Sequence, residues 1–430
     1  MNKSTVRFHK TKVFLPGLLL TCLLILSCAL VTGLPVGNEP GTINFGPDYT
    51  PQEHQARTLD AIWNLLEQNY IYYESADVNW SELQKRYDQQ IQAGLSTTEF
   101  NDLINELESE LPAGSLIWQS RADRIEADLS ASSTYQGVGA FVAFKAQRVP
   151  HVVILSVIKG SPAEQAGLRA HDSILSIDGE PVHADEGLNV VERIRGPAGS
   201  SVILDVQTPG RTERSITVTR GELTSTAELQ TDQITMNDAI YGYLLFPPIA
   251  YDGLMNDVTQ TMQALTTNHH LDGLILDLRV AGSARGWPLQ EMLTMFSNGV
   301  IGEFYNRTES QIISINGQDT FGSQSVPLYV LVGQNTIGFP EILAASLQAS
   351  KRAVVIGAPT TGTIETASTF YLPDGSQAFV QSTSFRLLSG EEPGLNGIKP
   401  NVQIEADWDE VVPSADPVLK AALEALGAEQ

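Results

Sequence analysis

The chain has 430 residues, enough for two or three domains. Its hydrophobic fraction of 42% and charged fraction of 18% are those of an ordinary globular protein. The formal net charge of -24 repels phosphate backbones and therefore argues against a nucleic-acid partner. The two cysteines lie in one apolar stretch near the N-terminus, and the seven histidines show no ligand spacing, so we expect no metal and no cofactor.

The N-terminus has the pattern of a targeting segment. Residues 1–12 are basic and residues 13–32 are almost purely apolar, which is typical of a signal peptide or a membrane anchor. Within the apolar run, residues 25–28 (ILSC) resemble a bacterial lipobox, in which Cys28 would be acylated. An uncleaved membrane helix and plain secretion remain open. Each interpretation places the rest of the chain outside the cytoplasm, in a periplasm or cell envelope, and the first two tether it to a membrane.

A linker and a helical segment follow. Residues 33–50 are rich in glycine and proline and are predicted to be a linker. Capping boxes at Thr50–Glu53 and Ser96–Glu99 predict two helix starts. Residues 51–134 are therefore predicted to form a helical segment with a bundle core. Its apolar stripes are Leu59, Ile62, Trp63, Leu66 and Tyr70, then Trp80, Leu83, Tyr87 and Ile91, then Phe100, Leu103, Ile104, Leu107 and Leu111.

Short β-branched runs replace the helical pattern over residues 135–223. Residues 160–168 (GSPAEQAGL) predict a short helix that Ser161 caps and Gly167 ends, and Asp178-Gly179 predicts a tight turn. These motifs, together with residues 194–199 (IRGPAG), resemble the PDZ domains of bacterial proteases. We call residues 135–223 the PDZ segment.

The resemblance implies a groove that binds an extended peptide as an added strand beside a helix. By that resemblance, the turn at Gly137, Val138, Gly139 and Ala140 would offer backbone amides to a terminal carboxylate, because glycines leave donors uncovered. The strand beginning at Phe141 would be the open edge. Leu188 and Val191, on the helix after Gly187, would line an apolar pocket. The expected partners are protein C-termini or unstructured peptides. If the glycines only shape a hairpin, no working groove is present.

Residues 224–428, the protease-like segment, alternate apolar strands with helices. The strand candidates are 241–246, 273–278, 327–333 and 353–357, and the helix candidates are 251–268, 286–297 and 340–350. Continuous apolar strands between helices predict a parallel sheet that is buried on both faces.

Several pieces of this segment resemble the catalytic domain of tail-specific (C-terminal processing) serine proteases, which have a ClpP/crotonase-like fold. They are residues 273–279 (GLILDLR), the nucleophile region 331–348, residues 357–363 (GAPTTGT) and residues 397–402 (GIKPNV). The predicted fold class is therefore α/β multidomain, with an N-terminal helical bundle, a β-rich PDZ domain and a ClpP/crotonase-like α/β protease domain.

The family's mechanism needs a serine nucleophile and a lysine base whose pKa a dry pocket lowers. When the family pattern is anchored on Glu341-Ile342, the nucleophile position is Gly338. When it is anchored on Gly357 and Gly362, the base position is Thr363. Residues 280–284 also depart from the family's oxyanion loop. The resemblance therefore implies a degenerate member with no catalytic dyad.

Three functions remain open on this evidence. The first is a pseudoprotease that binds C-terminal or extended peptides without hydrolysis. The second is an active serine endopeptidase that processes protein C-termini, which would need a relocated nucleophile such as Thr336 or Ser346 with Lys351 as base. The third is an envelope protein whose PDZ segment serves only assembly. Lys351 and Lys399 are predicted to be solvated surface residues.

Overall fold

The computed structural model describes residues 49–428, apart from 93, 126–134, 224–225, 268 and 283–285. Three helices form the N-terminal bundle, and both predicted capping boxes are present at the starts of the first and third helices. A short strand then joins the bundle to a sheet formed mainly by the protease-like segment. The elements are α1 (Pro51–Asn69), α2 (Trp80–Ile91), α3 (Thr97–Glu110) and β1 (Ile117–Gln119).

The PDZ segment is built around an antiparallel sheet in the order β3-β4-β5-β7-β8, with β6 paired to β5. The strands β2 and β9 pair separately at the entry to and the exit from this sheet. Ser161 caps the short helix as predicted. The elements are β2 (Tyr135–Gly137), β3 (Ala140–Lys145), β4 (His151–Val157), α4 (Pro162–Gln165), β5 (Ser173–Ile177), β6 (Glu180–Pro181), α5 (Val191–Ile194), β7 (Ser201–Gln207), β8 (Arg214–Thr219) and β9 (Gly221–Leu223).

The main sheet of the protease-like segment has the order β10-β11-β12-β15-β16-β19, and all of its pairs are parallel except β10–β11. A second sheet has the order β1-β18-β13-β14, with β17 on β18. The elements are β10 (Gln230–Met236), β11 (Ala239–Leu245), α6 (Leu254–Thr266), β12 (Gly273–Asp277), α7 (Leu289–Phe296), β13 (Gly299–Tyr305), β14 (Ser310–Ile315), β15 (Leu328–Val332), α8 (Phe339–Ala349), β16 (Val354–Gly357), β17 (Thr366–Tyr371), β18 (Gln377–Leu387), α9 (Pro393–Asn396), β19 (Val402–Gln403) and α10 (Pro417–Ala428).

Helices cover both faces of the main sheet. The helices α6, α7 and α8 bury one face in the largest apolar core. The C-terminal helix α10 covers the other face through Val418, Ala422 and Leu426. Because of this, every residue of β12 and β15 is buried, as their continuous apolar sequences predicted.

Trp408 packs the PDZ segment against the protease-like segment. Its ring stacks on that of His171 with centroids 3.9 Å apart, and its indole N–H donates to the backbone oxygen of Ile154 at 3.1 Å. Val280, just beyond β12, lies in the same apolar cluster as Trp408. The loop after β12 therefore shares an apolar cluster with Val153 and Leu155 of the PDZ segment.

Charged groups flank this contact. Asp409 accepts a hydrogen bond from Lys145 and lies 2.9 Å from Nε2 of His151, and Lys145 also donates to Asp407 at 2.8 Å. We call Lys145, His151, His171, Trp408 and Asp409 the interdomain clasp. The two histidines and the lysine come from the PDZ segment, and the other two residues from the protease-like segment.

Candidate functional site

Three loops meet at the carboxyl ends of the parallel strands β12, β15 and β16. Ile337, after β15, donates its amide to the backbone oxygen of Ala281, after β12, at 3.0 Å. The loop after β16 reaches the same place, because the Gly362 amide donates to the carboxylate of Glu341 in α8 at 2.9 Å. Ligands of open α/β sheets bind at such carboxyl edges. The positions assigned from the sequence, Gly338 and Thr363, both lie in these loops.

Gly338 is the residue that immediately precedes α8. It is buried, its φ of 76° is left-handed, and its amide donates to the Glu341 carboxylate at 3.1 Å. Phe339 and Pro340 then begin the helix, and the Phe339 ring packs edge-on against Phe304 with centroids 6.3 Å apart. The position that would carry a nucleophile thus has only a backbone to offer.

Thr363 lies on the surface at the end of the loop after β16. Its side chain is exposed, and its hydroxyl is 3.0 Å from that of Thr361. A lysine base needs burial to lose its proton near neutral pH. A surface hydroxyl in this position cannot accept a proton from a nucleophile as an amine does.

Glu341 joins the two loops. Its side chain is fully buried, and one oxygen accepts from the Gly338 amide while the other accepts from the Gly362 amide. Burial raises the pKa of this carboxyl, and the hydrogen bonds from the backbone oppose that rise. Sequence reasoning used Glu341 only as an alignment anchor and missed this bridging role. Its position three residues after Gly338, the spacing of a capping box, was the available signal.

Three backbone amides around Gly338 already have acceptors. The Gly282 amide donates to the backbone oxygen of Pro248 at 3.0 Å, and the Ile337 and Gly338 amides are engaged as described above. An oxyanion hole needs donors that are free to face a developing charge. Residues 283 and 284 of the altered loop lie outside the described residues.

The structure does not bring the relocated dyad candidates together into a nucleophile and base. Thr336 is buried, and its hydroxyl both donates to Leu278 O and accepts from Gly333 N, each at 2.9 Å. Ser346 is buried inside α8 without a hydrogen-bond partner among the described residues, whereas Lys351 is exposed. Lys399 is exposed as well.

The turn before β3 has the geometry that a carboxylate-binding loop needs. Gly139 has a φ of 84°, and the backbone oxygens of Val138 and Gly139 accept from the amides of Ala163 and Ile158. No acceptor among the described residues takes the amides of Val138 and Gly139. The strand β3 is the edge of its sheet, with β4 as its partner. Gly137 pairs with Gly221, and Ala140 begins the strand.

The residues assigned to the groove lie on the short helical element and on β3. Gly187–Val190 forms a 3₁₀ turn and α5 is a single α-turn, so the helical element after Gly187 is short and irregular. Leu188 is 61% exposed and Val191 is half-buried, so both are accessible on that element. Phe141, by contrast, packs against the Trp408 cluster, because alternate residues of a strand face opposite sides. Its ring is not available to the groove, although its backbone lies on the open edge.

Two predictions concern parts of the chain that lie outside the described residues. Cys28 and the whole of residues 1–48 belong to that part, so lipidation and the membrane anchor remain predictions. Among residues 49–428, as far as they are described, no helix is both long and apolar enough to span a bilayer. The same described part contains no cluster of three or more His, Cys, Asp or Glu residues that could hold a metal ion.

Sequence profiles of three families match the chain in the predicted order. The Tricorn protease C1 domain matches residues 51–108, the PDZ domain matches 153–208, and peptidase family S41 matches 241–404. The PDZ and S41 matches lie inside the segments that were assigned to those folds from sequence motifs.

Related proteins carry the names of C-terminal processing proteases. A carboxyl-terminal-processing protease of Synechocystis sp. is 26% identical over 407 residues, which cover 91% of this chain and 90% of that protein. Its counterpart in Picosynechococcus sp. is 31% identical over 300 residues, 66% of each chain. The structure of a photosystem II D1 C-terminal processing protease shares the fold, with a TM-score of 0.64 at 23% identity, over 87% of this chain and 97% of that one.

Proposed function

Since the chain belongs to the carboxyl-terminal processing, or tail-specific, protease family, peptidase family S41, we propose that it is a member that binds polypeptide C-termini or extended segments without hydrolysing them. The chain would act outside the cytoplasm, tethered through Cys28 or through the apolar run 13–32. The name of each relative describes that relative's own activity. The proposed loss of hydrolysis rests on the residues of this chain.

One observation carries the proposal. The two positions that would hold the nucleophile and the base, Gly338 and Thr363, offer a backbone and an exposed hydroxyl. Attack on a peptide carbonyl needs an activated nucleophile beside a deprotonated base. Removal of even one dyad member costs several orders of magnitude in such enzymes. The engaged amides of Gly282, Ile337 and Gly338 add to this, because a developing oxyanion would find them already occupied.

The PDZ segment supports peptide capture. A strand edge that is open beside a short helical element can accept an added strand, and two unengaged amides can receive a carboxylate. Leu188 and Val191 then meet the side chain of the terminal residue. The proposal therefore predicts a ligand with a free carboxyl end and an apolar last residue.

Hydrolysis is tested by incubating the full-length protein with an unstructured substrate and with an active-site serine probe. We expect neither cleavage nor labelling. The double variant G338S/T363K supplies the missing hydroxyl and amine and serves as the positive control for cleavage. Robust cleavage by the unaltered chain that T336A or S346A abolishes would overturn the proposal in favour of an active endopeptidase.

Binding is tested with a fluorescent peptide that ends in a free carboxylate and with the same peptide carrying an amidated end. We expect saturable binding of the first and much weaker binding of the second. A chain that binds neither of the two peptides, across a library of apolar last residues, would support the assembly function instead.

A further inference from the structure

The strand β10 has an unpaired edge. It is the terminal strand of the main sheet, and its one neighbour is β11, to which it is joined by the two-residue turn Asn237-Asp238. In such a hairpin the residues flanking the turn, Met236 and Ala239, exchange backbone hydrogen bonds. The residues one, three and five positions before Met236 therefore point their N–H and C=O groups away from β11. The outward backbone groups of β10 are therefore those of Thr231, Gln233 and Thr235.

A cavity of about 550 Å³ runs along this edge. The helix α6 forms its other wall, and the residues of β10 that face the cavity are exposed. An open strand beside a helix is the arrangement that takes a peptide by strand addition. The lining residues are Glu228, Leu229, Thr231, Asp232, Gln233, Asp257, Gln260, Thr261, Ala264 and Leu265.

The charge of the cavity favours a basic occupant. Three of its ten lining residues, Glu228, Asp232 and Asp257, are acidic, and none is a lysine, arginine or histidine. The Asp232 carboxylate accepts a hydrogen bond from the outward amide of Gln233 at 2.8 Å, an amide that a neighbouring strand would otherwise bind. An added strand can take over that amide with a backbone oxygen, which frees the carboxylate for a cation.

We propose that this groove binds an extended polypeptide segment carrying lysine or arginine, which pairs with β10 as an additional strand. Strand pairing supplies sequence-independent hydrogen bonds, and the three carboxylates select the charge. A second copy of this chain is disfavoured as the occupant, since edge-to-edge pairing of two β10 strands would bring their acidic side chains together. The groove is separate from the PDZ groove and would accept internal segments, which have no free carboxylate.

The probe is an eight-residue fluorescent peptide of alternating lysine and threonine, acetylated at its N-terminus and amidated at its C-terminus. The blocked C-terminus keeps it from using the amides of Val138 and Gly139, so the result is independent of the function proposed above. Its partner probe carries glutamate in place of lysine. With the full-length protein in a non-ionic detergent, fluorescence anisotropy should show saturable binding of the lysine peptide alone.

Two variants test the two parts of the proposal. E228Q/D232N removes charge and should weaken binding about tenfold, the effect of losing two partly screened ion pairs. T231P removes an outward amide at an edge position where proline is tolerated, and it should abolish binding while leaving the unfolding midpoint close to that of the unaltered chain. D238N is the matched control, because it removes a carboxylate of the same hairpin outside the cavity and should change nothing.

Three outcomes overturn the proposal. The first is equal binding of the lysine and glutamate peptides. The second is binding that D238N weakens as much as E228Q/D232N does, which would indicate attraction to the overall negative charge. The third is a dimer in sedimentation that T231P dissociates, which would make a second copy the occupant. Absence of binding by the lysine peptide counts equally against the proposal.

Discussion

The shape of the candidate site depends on the buried carboxylate of Glu341. It accepts one amide from the loop before α8 and one from the loop after β16, in a place with no access to water. A buried donor left without an acceptor costs about 1–3 kcal/mol. Glu341 therefore holds the Gly338 and Thr363 positions at a fixed separation, whichever chemistry those positions support.

We predict that E341Q lowers the free energy of unfolding by about 1–3 kcal/mol, because the glutamine amide keeps one acceptor and turns a second donor toward a backbone N–H. Urea denaturation measures this. The control is E309Q, which alters an exposed carboxyl and should leave the midpoint unchanged. Equal midpoints for E341Q and the unaltered chain would show that the two loops are held by other contacts.

Sequence reasoning could reach the positions of this site but not its contacts. Motif spacing located Gly338 and Thr363 in loops that the structure indeed brings to one sheet edge. It could not show that the Thr336 hydroxyl is hydrogen-bonded to Leu278 O, because a contact across 58 residues leaves no local pattern. For the same reason it could not show that Phe141, on the predicted open edge, turns its ring toward the Trp408 cluster.

Among single elements, the turn before β3 has the tightest steric requirement. Gly139 has a left-handed φ, and a methyl group at this position would overlap Cβ of Ser161, which caps α4. The turn, the short helix and the open strand edge are thus locked to one another. A peptide carboxylate entering this turn would meet a backbone that is already arranged to receive it.

We predict that G139A abolishes binding of a peptide with a free C-terminus and destabilises the fold by about 1–3 kcal/mol more than G179A does. Gly179 is the matched control because its φ of 82° imposes the same backbone strain while nothing lies within 4 Å of the added methyl group. The comparison therefore isolates the contact with Ser161. Peptide titration and urea unfolding of both variants provide the measurements, and equal behaviour of the two would contradict the prediction.

At the scale of the whole molecule, local patterns predict the parallel sheet far better than the joins between segments. Continuous apolar sequence predicts the strands β12 and β15, and helical periodicity predicts the helices that follow them. The strand β18, in contrast, mixes polar and apolar residues and was not predicted, although it links the helical bundle to the protease-like segment. Trp408 lies in an irregular acidic stretch, and its partners His171 and Ile154 are 237 and 254 residues away.

The interdomain clasp contains two histidines with opposite responses to pH. The hydrogen bond with Asp409 raises the pKa of His151, so this pair stabilises the fold fully below the ordinary histidine pKa of about 6.5 and is lost as the pH rises through the raised value. Burial lowers the pKa of His171, which stacks on Trp408. Its contribution is complete above about 6.5 and is lost as the pH falls toward the lowered value.

We therefore predict that the clasp is most stable near pH 6.5, and that each histidine accounts for one side of the maximum. H151Q should flatten the decline in the urea midpoint above pH 6.5, and H171F, which keeps a ring on Trp408, should flatten the decline below it. Other groups titrate in the same range, so the difference between each variant and the unaltered chain is the quantity to compare. D409N removes the carboxylate that pairs with both His151 and Lys145, and whose pKa is lowered to about 2. It should therefore behave like H151Q on the alkaline side. Profiles of H151Q and D409N that run parallel to that of the unaltered chain above pH 6.5 would mean that the pair of His151 and Asp409 does not stabilise the clasp.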